Sequence, residues 1–167
     1  MFYCRDSELE KMNRRYDNGQ FECIVIYGRR RVGKTALINE FCKGKPTILF
    51  SALDSTEQEN LETLSRAVFA YKYPGSDMGA RFDTYEDAFN EIGRIASEER
   101  LVFVIDEYPY LAKAKSAVSS ILQHLIDHRW SQRAGLCRAG SGRRTCPCRG
   151  TQTGRFADQR LSRGLWG

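Results

Sequence analysis

Gly28-Arg29-Arg30-Arg31-Val32-Gly33-Lys34-Thr35 satisfies the pattern G-x-x-x-x-G-K-[ST] without a mismatch. Those residue types suit the grip of a polyphosphate. Gly28 and Gly33 allow backbone conformations closed to other residues, so that N–H groups point at phosphate oxygens. Arg29, Arg30, Arg31 and Val32 fill the variable positions. The three arginines form a basic cluster within reach of phosphate, and a solvated role is the favoured reading for at least two of them. A helix opening at Lys34 and running through Ala36 adds the positive end of its dipole. Lys34 reaches the β- and γ-phosphates, and the Thr35 hydroxyl is a magnesium ligand.

The acidic partner is Leu101-Val102-Phe103-Val104-Ile105-Asp106-Glu107. Five apolar residues followed by two acids form the Walker B pattern. Asp106 at the strand end belongs in the magnesium shell, and Glu107 is placed to act as general base on an attacking water. An acid pair favours hydrolysis over phosphoryl transfer to a small molecule. Asp54 ends another apolar run, where a role in capping the next helix with Ser55 outweighs a nucleotide contact. Tyr108-Pro109-Tyr110 reads as a turn with packing aromatics. His124 and His128 flank an apolar helical stripe and read as surface or partly buried residues.

Positioning these groups requires a framework of alternating strands and helices. Cys23 to Tyr27 is a compact branched run that reads as a buried strand directly before the glycine loop. Ala36, Leu37, Ile38 and Phe41 continue as a helix, stopped by Gly44 and Pro46. Thr47 to Ala52 and Leu101 to Ile105 read as two further buried strands. Capping boxes at Ser7–Glu10 and Ser55–Gln58, and a cap at Asp83, start three more helices. Leu111 to Ile126 carries one long amphipathic stripe. Strands alternating with helices predict an α/β fold, a parallel sheet covered on both faces.

The chain has 167 residues, 41% hydrophobic and 28% charged, which fits one soluble domain. No apolar run approaches the about 20 residues needed to span a bilayer, and the N-terminus is too polar for a secretory signal. Both points predict a cytoplasmic protein with no membrane partner. The net charge of +5 is unevenly spread. Residues 131–167 hold eight Arg, no Lys and one acid, Asp158. Everything before them is slightly acidic. Cys4, Cys23 and Cys42 read as small buried hydrophobes in a reducing compartment. Cys146 and Cys148, with His124 and His128, match no usual zinc-ligand spacing.

With both acidic and glycine motifs placed, residues 2–130 resemble a prokaryotic, especially archaeal, family of P-loop ATPases related to the AAA+ and STAND groups. Phe2-Tyr3-Cys4-Arg5-Asp6-Ser7-Glu8-Leu9 is similar to its opening pattern F-x-G-R-x-x-E-L, with Cys4 in place of the glycine. Ile24 to Thr35 is similar to its phosphate loop, arginines included. Val104 to Leu111 is similar to its Walker B segment and the turn that follows. The resemblance implies a three-layer P-loop NTPase fold of the ASCE/AAA+ type. It implies ATP and Mg2+ as cofactors, and hydrolysis coupled to a conformational switch. Complete members carry a further C-terminal region and can form oligomers; no protein or nucleic-acid client is named by the sequence.

The resemblance stops near Trp130, where helical and strand periodicity both end. The family's next strand, which lies between the two Walker strands, has no apolar counterpart within Gly135 to Gly142. The expectation is therefore an ATPase domain over 1–130, incomplete at its C-terminal side, and an Arg/Gly/Cys-rich tail over 131–167. Out-of-frame translation explains a tail rich in Arg and devoid of Lys. A nucleic-acid-binding tail is the competing reading. The module then either hydrolyses ATP or binds it without turnover.

Overall fold

The computed structural model describes residues 5–28, 32–75 and 79–131. The N-terminal helix α1 (Asp6–Asp17) places Leu9, Met12 and Tyr16 on one face. The expected Ser7 capping box does not form: Arg5 is the N-cap, and the Ser7 hydroxyl donates to the Glu8 carboxylate at 3.0 Å. Helix α2 (Lys34–Cys42) turns Leu37 and Phe41 towards α1, where they bury with Met12. The Tyr16 and Phe41 rings meet edge-on, their centroids 6.1 Å apart.

Two strands, β1 (Thr47–Ser51) and β2 (Val102–Asp106), pair in parallel with Ser51 opposite Asp106. Between them in sequence lie α3 (Glu57–Lys72) and α4 (Tyr85–Glu98). After β2 come α5 (Tyr108–Ala114), α6 (Val118–Leu125) and a π-helical turn (Ile126–Trp130). Ile48 and Phe50 of β1 point into the main core, beside Leu64, Val68, Phe89, Ile92, Leu111 and Val118. Phe103 and Ile105 of β2 pack on that same cluster, while Val102 packs on the α1–α2 cluster. The result is a mixed α/β domain with a small parallel sheet, as the alternation of apolar runs predicts.

The expected strand at Cys23–Tyr27 is not formed. Its side chains alternate: Ile24 and Ile26 pack against α1 and α2, whereas Val25 is 57% and Tyr27 75% exposed. An extended segment becomes a strand only when a neighbouring backbone pairs with it. Among the described residues none does. The β1–β2 ladder runs from the Val102 N–H on Pro46 O (2.8 Å) to the Ala52 N–H on Asp106 O (3.0 Å). The backbone groups of Phe103 and Ile105 therefore point to the opposite edge of β2, where no described strand lies. Of the three cysteines expected to be buried, Cys23 in this segment is exposed, Cys42 at the end of α2 is half-buried, and Cys4 lies outside the described residues.

Other boundaries shift as well. Thr56, not Ser55, caps α3 in a reciprocal box with Glu59. Leu53 to Ser55 forms a tight turn closed by Ser55 N–H on Leu53 O, and buried Asn60 clasps both backbone groups of Leu53. The helix thus begins one residue later. Thr84, not Asp83, caps α4 by accepting the Asp87 N–H at 3.1 Å. The single stripe expected over 111–126 is broken at extended Lys115, whose ammonium pairs with Glu57 at 2.7 Å. Tyr108-Pro109-Tyr110 is the first turn of α5 rather than a separate turn, with proline tolerated there because opening N–H groups lack helical partners. Among the described residues, no helix is long and apolar enough to cross a membrane.

Candidate functional site

The site lies outside the carboxyl end of β2, the usual place for ligands in parallel sheets. Gly33 caps α2 in the left-handed conformation (φ 78°, ψ 25°), which a side chain would strain. Gly28 has φ 154°, and a Cβ placed on it would lie 3.5 Å from Val32 Cγ2. Both glycines thus hold backbone conformations that favour a residue without a side chain, one on each side of residues 29–31. The first internal bond of α2 runs from Leu37 N–H to Gly33 O (3.0 Å). The N–H groups of Thr35 and Ala36 consequently sit in the open first turn, directed towards the loop. Lys34 Nζ donates back to the Gly28 carbonyl at 3.1 Å, which lays the ammonium across the loop.

Thr35 joins the two halves. Its hydroxyl donates to Asp106 Oδ2 at 3.1 Å across 71 residues of sequence. Asp106 Oδ1 accepts the Glu107 N–H at 3.0 Å. Glu107 is the residue with positive φ that is not glycine among those described (φ 52°, ψ 41°), and its side chain is exposed. Left-handed backbone costs a residue with a side chain about 1–2 kcal/mol. Strain of this kind collects at functional sites, and Tyr110 N–H on Glu107 O (3.0 Å) pins it here.

Two hard oxygen donors, the Thr35 hydroxyl and the Asp106 carboxylate, therefore converge at the loop's exit. That donor set suits Mg2+, which takes one or two protein oxygens and fills its remaining positions with water and phosphate. Gly28, Val32, Gly33, Lys34, Thr35, Ala36, Asp106 and Glu107 all fall in this region. Arg29, Arg30 and Arg31 lie outside the described residues. Asp54 is engaged elsewhere: Lys113 Nζ donates to it at 2.7 Å, and this bond raises the Lys113 pKa. The His124 and His128 rings are exposed and 4.8 Å apart, on the last helical turns. Cys137, Cys146 and Cys148 lie outside the described residues.

Arg5, part of the opening pattern but not among the expected site residues, also reaches this region. Its guanidinium donates to the Val32 carbonyl of the loop at 2.5 Å. The opening pattern that contains Arg5 was the signal available for it in the sequence.

Residues 2–137 match the model of a family described as an ATPase domain predominantly from Archaea. The chain belongs to that family. This archaeal-type P-loop ATPase-family domain is 30% identical, over 128 residues, to an uncharacterized protein of Methanocaldococcus jannaschii. That alignment covers 76% of this chain but 26% of the relative, so the chain spans about a quarter of that protein. A second protein of the same organism, named an uncharacterized ATP-binding protein, is 47% identical over 45 residues. This stretch is 27% of the present chain and 76% of that protein. No solved structure matches the chain.

Proposed function

We propose that this ATPase-family domain binds ATP with Mg2+ and hydrolyses it. The observation that carries the reading is the Thr35–Asp106 hydrogen bond. It brings the hydroxyl that closes the glycine loop onto the carboxylate that ends β2, as a shared magnesium site requires. The family description and the ATP-binding name of one relative support the choice of nucleotide. In this reading the N–H groups along Gly28 to Ala36 cradle the phosphates, and Arg29 to Arg31 contribute positive charge. Lys34 holds the β- and γ-phosphates. Thr35 and Asp106 hold the metal, which would neutralise phosphate charge during transfer. Glu107 takes the proton of the attacking water. The three-layer AAA+/STAND-type architecture, residues 1–130 as the ATPase unit and a cytoplasmic location belong to the same proposal.

A second reading, ATP binding without turnover, draws on one observation. The segment before the loop has no paired neighbour among the described residues, with Tyr27 75% exposed immediately before Gly28. A site anchored on one side holds a nucleotide more readily than it fixes a water for in-line attack.

Lys34→Ala tests the binding claim shared by both. It removes a charge-assisted contact to phosphate, each such bond being worth about 1.5–3 kcal/mol. ATP affinity is expected to fall about 100-fold by fluorescence titration. Unchanged affinity would remove the phosphate loop from the account.

A further inference from the structure

Arg5 is held at both ends. Its carbonyl accepts the Leu9 N–H at 3.0 Å, which fixes it as the first residue of the α1 cap. Its Nη2 donates to the Val32 carbonyl, 27 residues along the chain. Helix α1 is itself fixed on α2 through Met12, Leu37 and Phe41, and α2 is the helix that starts at Lys34. The guanidinium therefore reaches the loop from a docked helix rather than from a free terminus.

The bond acts on one peptide plane. The Val32 carbonyl and the Gly33 N–H belong to the same planar trans unit and point in opposite directions. Fixing the carbonyl on Arg5 fixes the Gly33 N–H towards the other side of the loop. Such fixing matters at this plane because Gly33, at φ 78°, has the widest backbone freedom of any residue type. A flipped plane would present a carbonyl oxygen, instead of a donor, to an anion. We propose that Arg5 is a positioning residue for nucleotide: it locks the Val32–Gly33 peptide so that the Gly33 N–H faces the triphosphate.

The proposal rests on the ATP-binding reading above, and its test separates the two. Affinity for a fluorescent ATP analogue is measured on the full chain for the parent, Arg5→Ala, Arg5→Lys, Arg14→Ala and Lys34→Ala, alongside urea unfolding of each. Arg14 sits on the same helix, paired with Glu10 at 2.9 Å and 75% exposed, and serves as the control for α1. Arg5→Ala is expected to weaken binding about ten-fold, the scale of one charged hydrogen bond. Arg5→Lys, which retains a cationic donor, is expected to recover most of the affinity. Arg14→Ala is expected to bind as the parent does, and the Arg5 variants are expected to remain folded at the assay temperature. Parent-like affinity in Arg5→Ala overturns the proposal. So does a loss shared equally by Arg14→Ala or accounted for by unfolding. If Lys34→Ala also binds like the parent, it is the ATP-binding reading that fails. If Lys34→Ala loses affinity and Arg5→Ala does not, only the role of Arg5 fails.

Discussion

Glu107→Gln is expected to lower phosphate release by about 10²–10⁴-fold, the usual contribution of a positioned general base, while ATP binding stays within about two-fold of the parent. The substitution is nearly isosteric, so it removes the proton acceptor without emptying space. Its backbone should also persist. The left-handed conformation at 107 is held from both sides, by Asp106 Oδ1 on its N–H and by the Tyr110 N–H on its carbonyl. Neither bond uses the Glu107 side chain. Turnover and binding are measured on one preparation, by phosphate release and by nucleotide titration. Equal release from the parent and from Glu107→Gln would remove Glu107 from the chemistry. Binding without release in the parent itself would select the reading without turnover.

Phe89→Ala is expected to cost about 3–5 kcal/mol in urea unfolding, as truncation of a buried aromatic does. A loss of that size is a large part of a domain's margin of about 5–15 kcal/mol. Phe89 is fully buried at the centre of the main core. Its ring lies 6.1 Å from Tyr85, 6.1 Å from Phe103 and 6.5 Å from Trp130, centroid to centroid. It thereby joins α4, β2 and the last helical turn. Val25→Ala is the contrast. Sequence alone places Val25 in a buried strand, where the change would be felt. At 57% exposure the expected cost is within about 0.5 kcal/mol. A cost at Val25 comparable to that at Phe89 would mean that the segment before the glycine loop is covered on both faces in solution.

That contrast marks where the sequence stops being readable. Local patterns carry local outcomes. The runs at Thr47–Ser51 and Val102–Asp106 are strands because they pair with each other, and both also offer apolar side chains to the main core. The glycine loop is legible because Gly28 and Gly33 are needed at left-handed or otherwise unusual φ. The approach of Thr35 to Asp106 follows once the β2 run is placed beside the loop. Pairing is not local. Ile24 and Ile26 find a hydrophobic neighbour in α1 and α2, but a backbone partner for them has to come from distant sequence. The capping shift at Thr56 was hidden for a similar reason: Asn60, a full turn into the helix, decides where the preceding turn closes. The break at Lys115 has no glycine or proline to announce it, and its partner Glu57 lies on another helix. Arg5 stands in the opening pattern, yet nothing in its spacing says that it reaches Val32.

In the proposed function the glycine loop and the end of β2 form one nucleotide–metal site, so ATP binding should depend on magnesium through Asp106. The dependence is measured for the parent and for Asp106→Asn. The parent is expected to bind ATP about ten-fold more tightly with Mg2+ than in its absence, the scale of one charge-assisted contact. Asp106→Asn, which keeps the shape and loses the charge beside Thr35, is expected to lose most of that gain while retaining metal-free binding. An equal magnesium effect in both proteins, or a parent that does not bind ATP, would contradict the account.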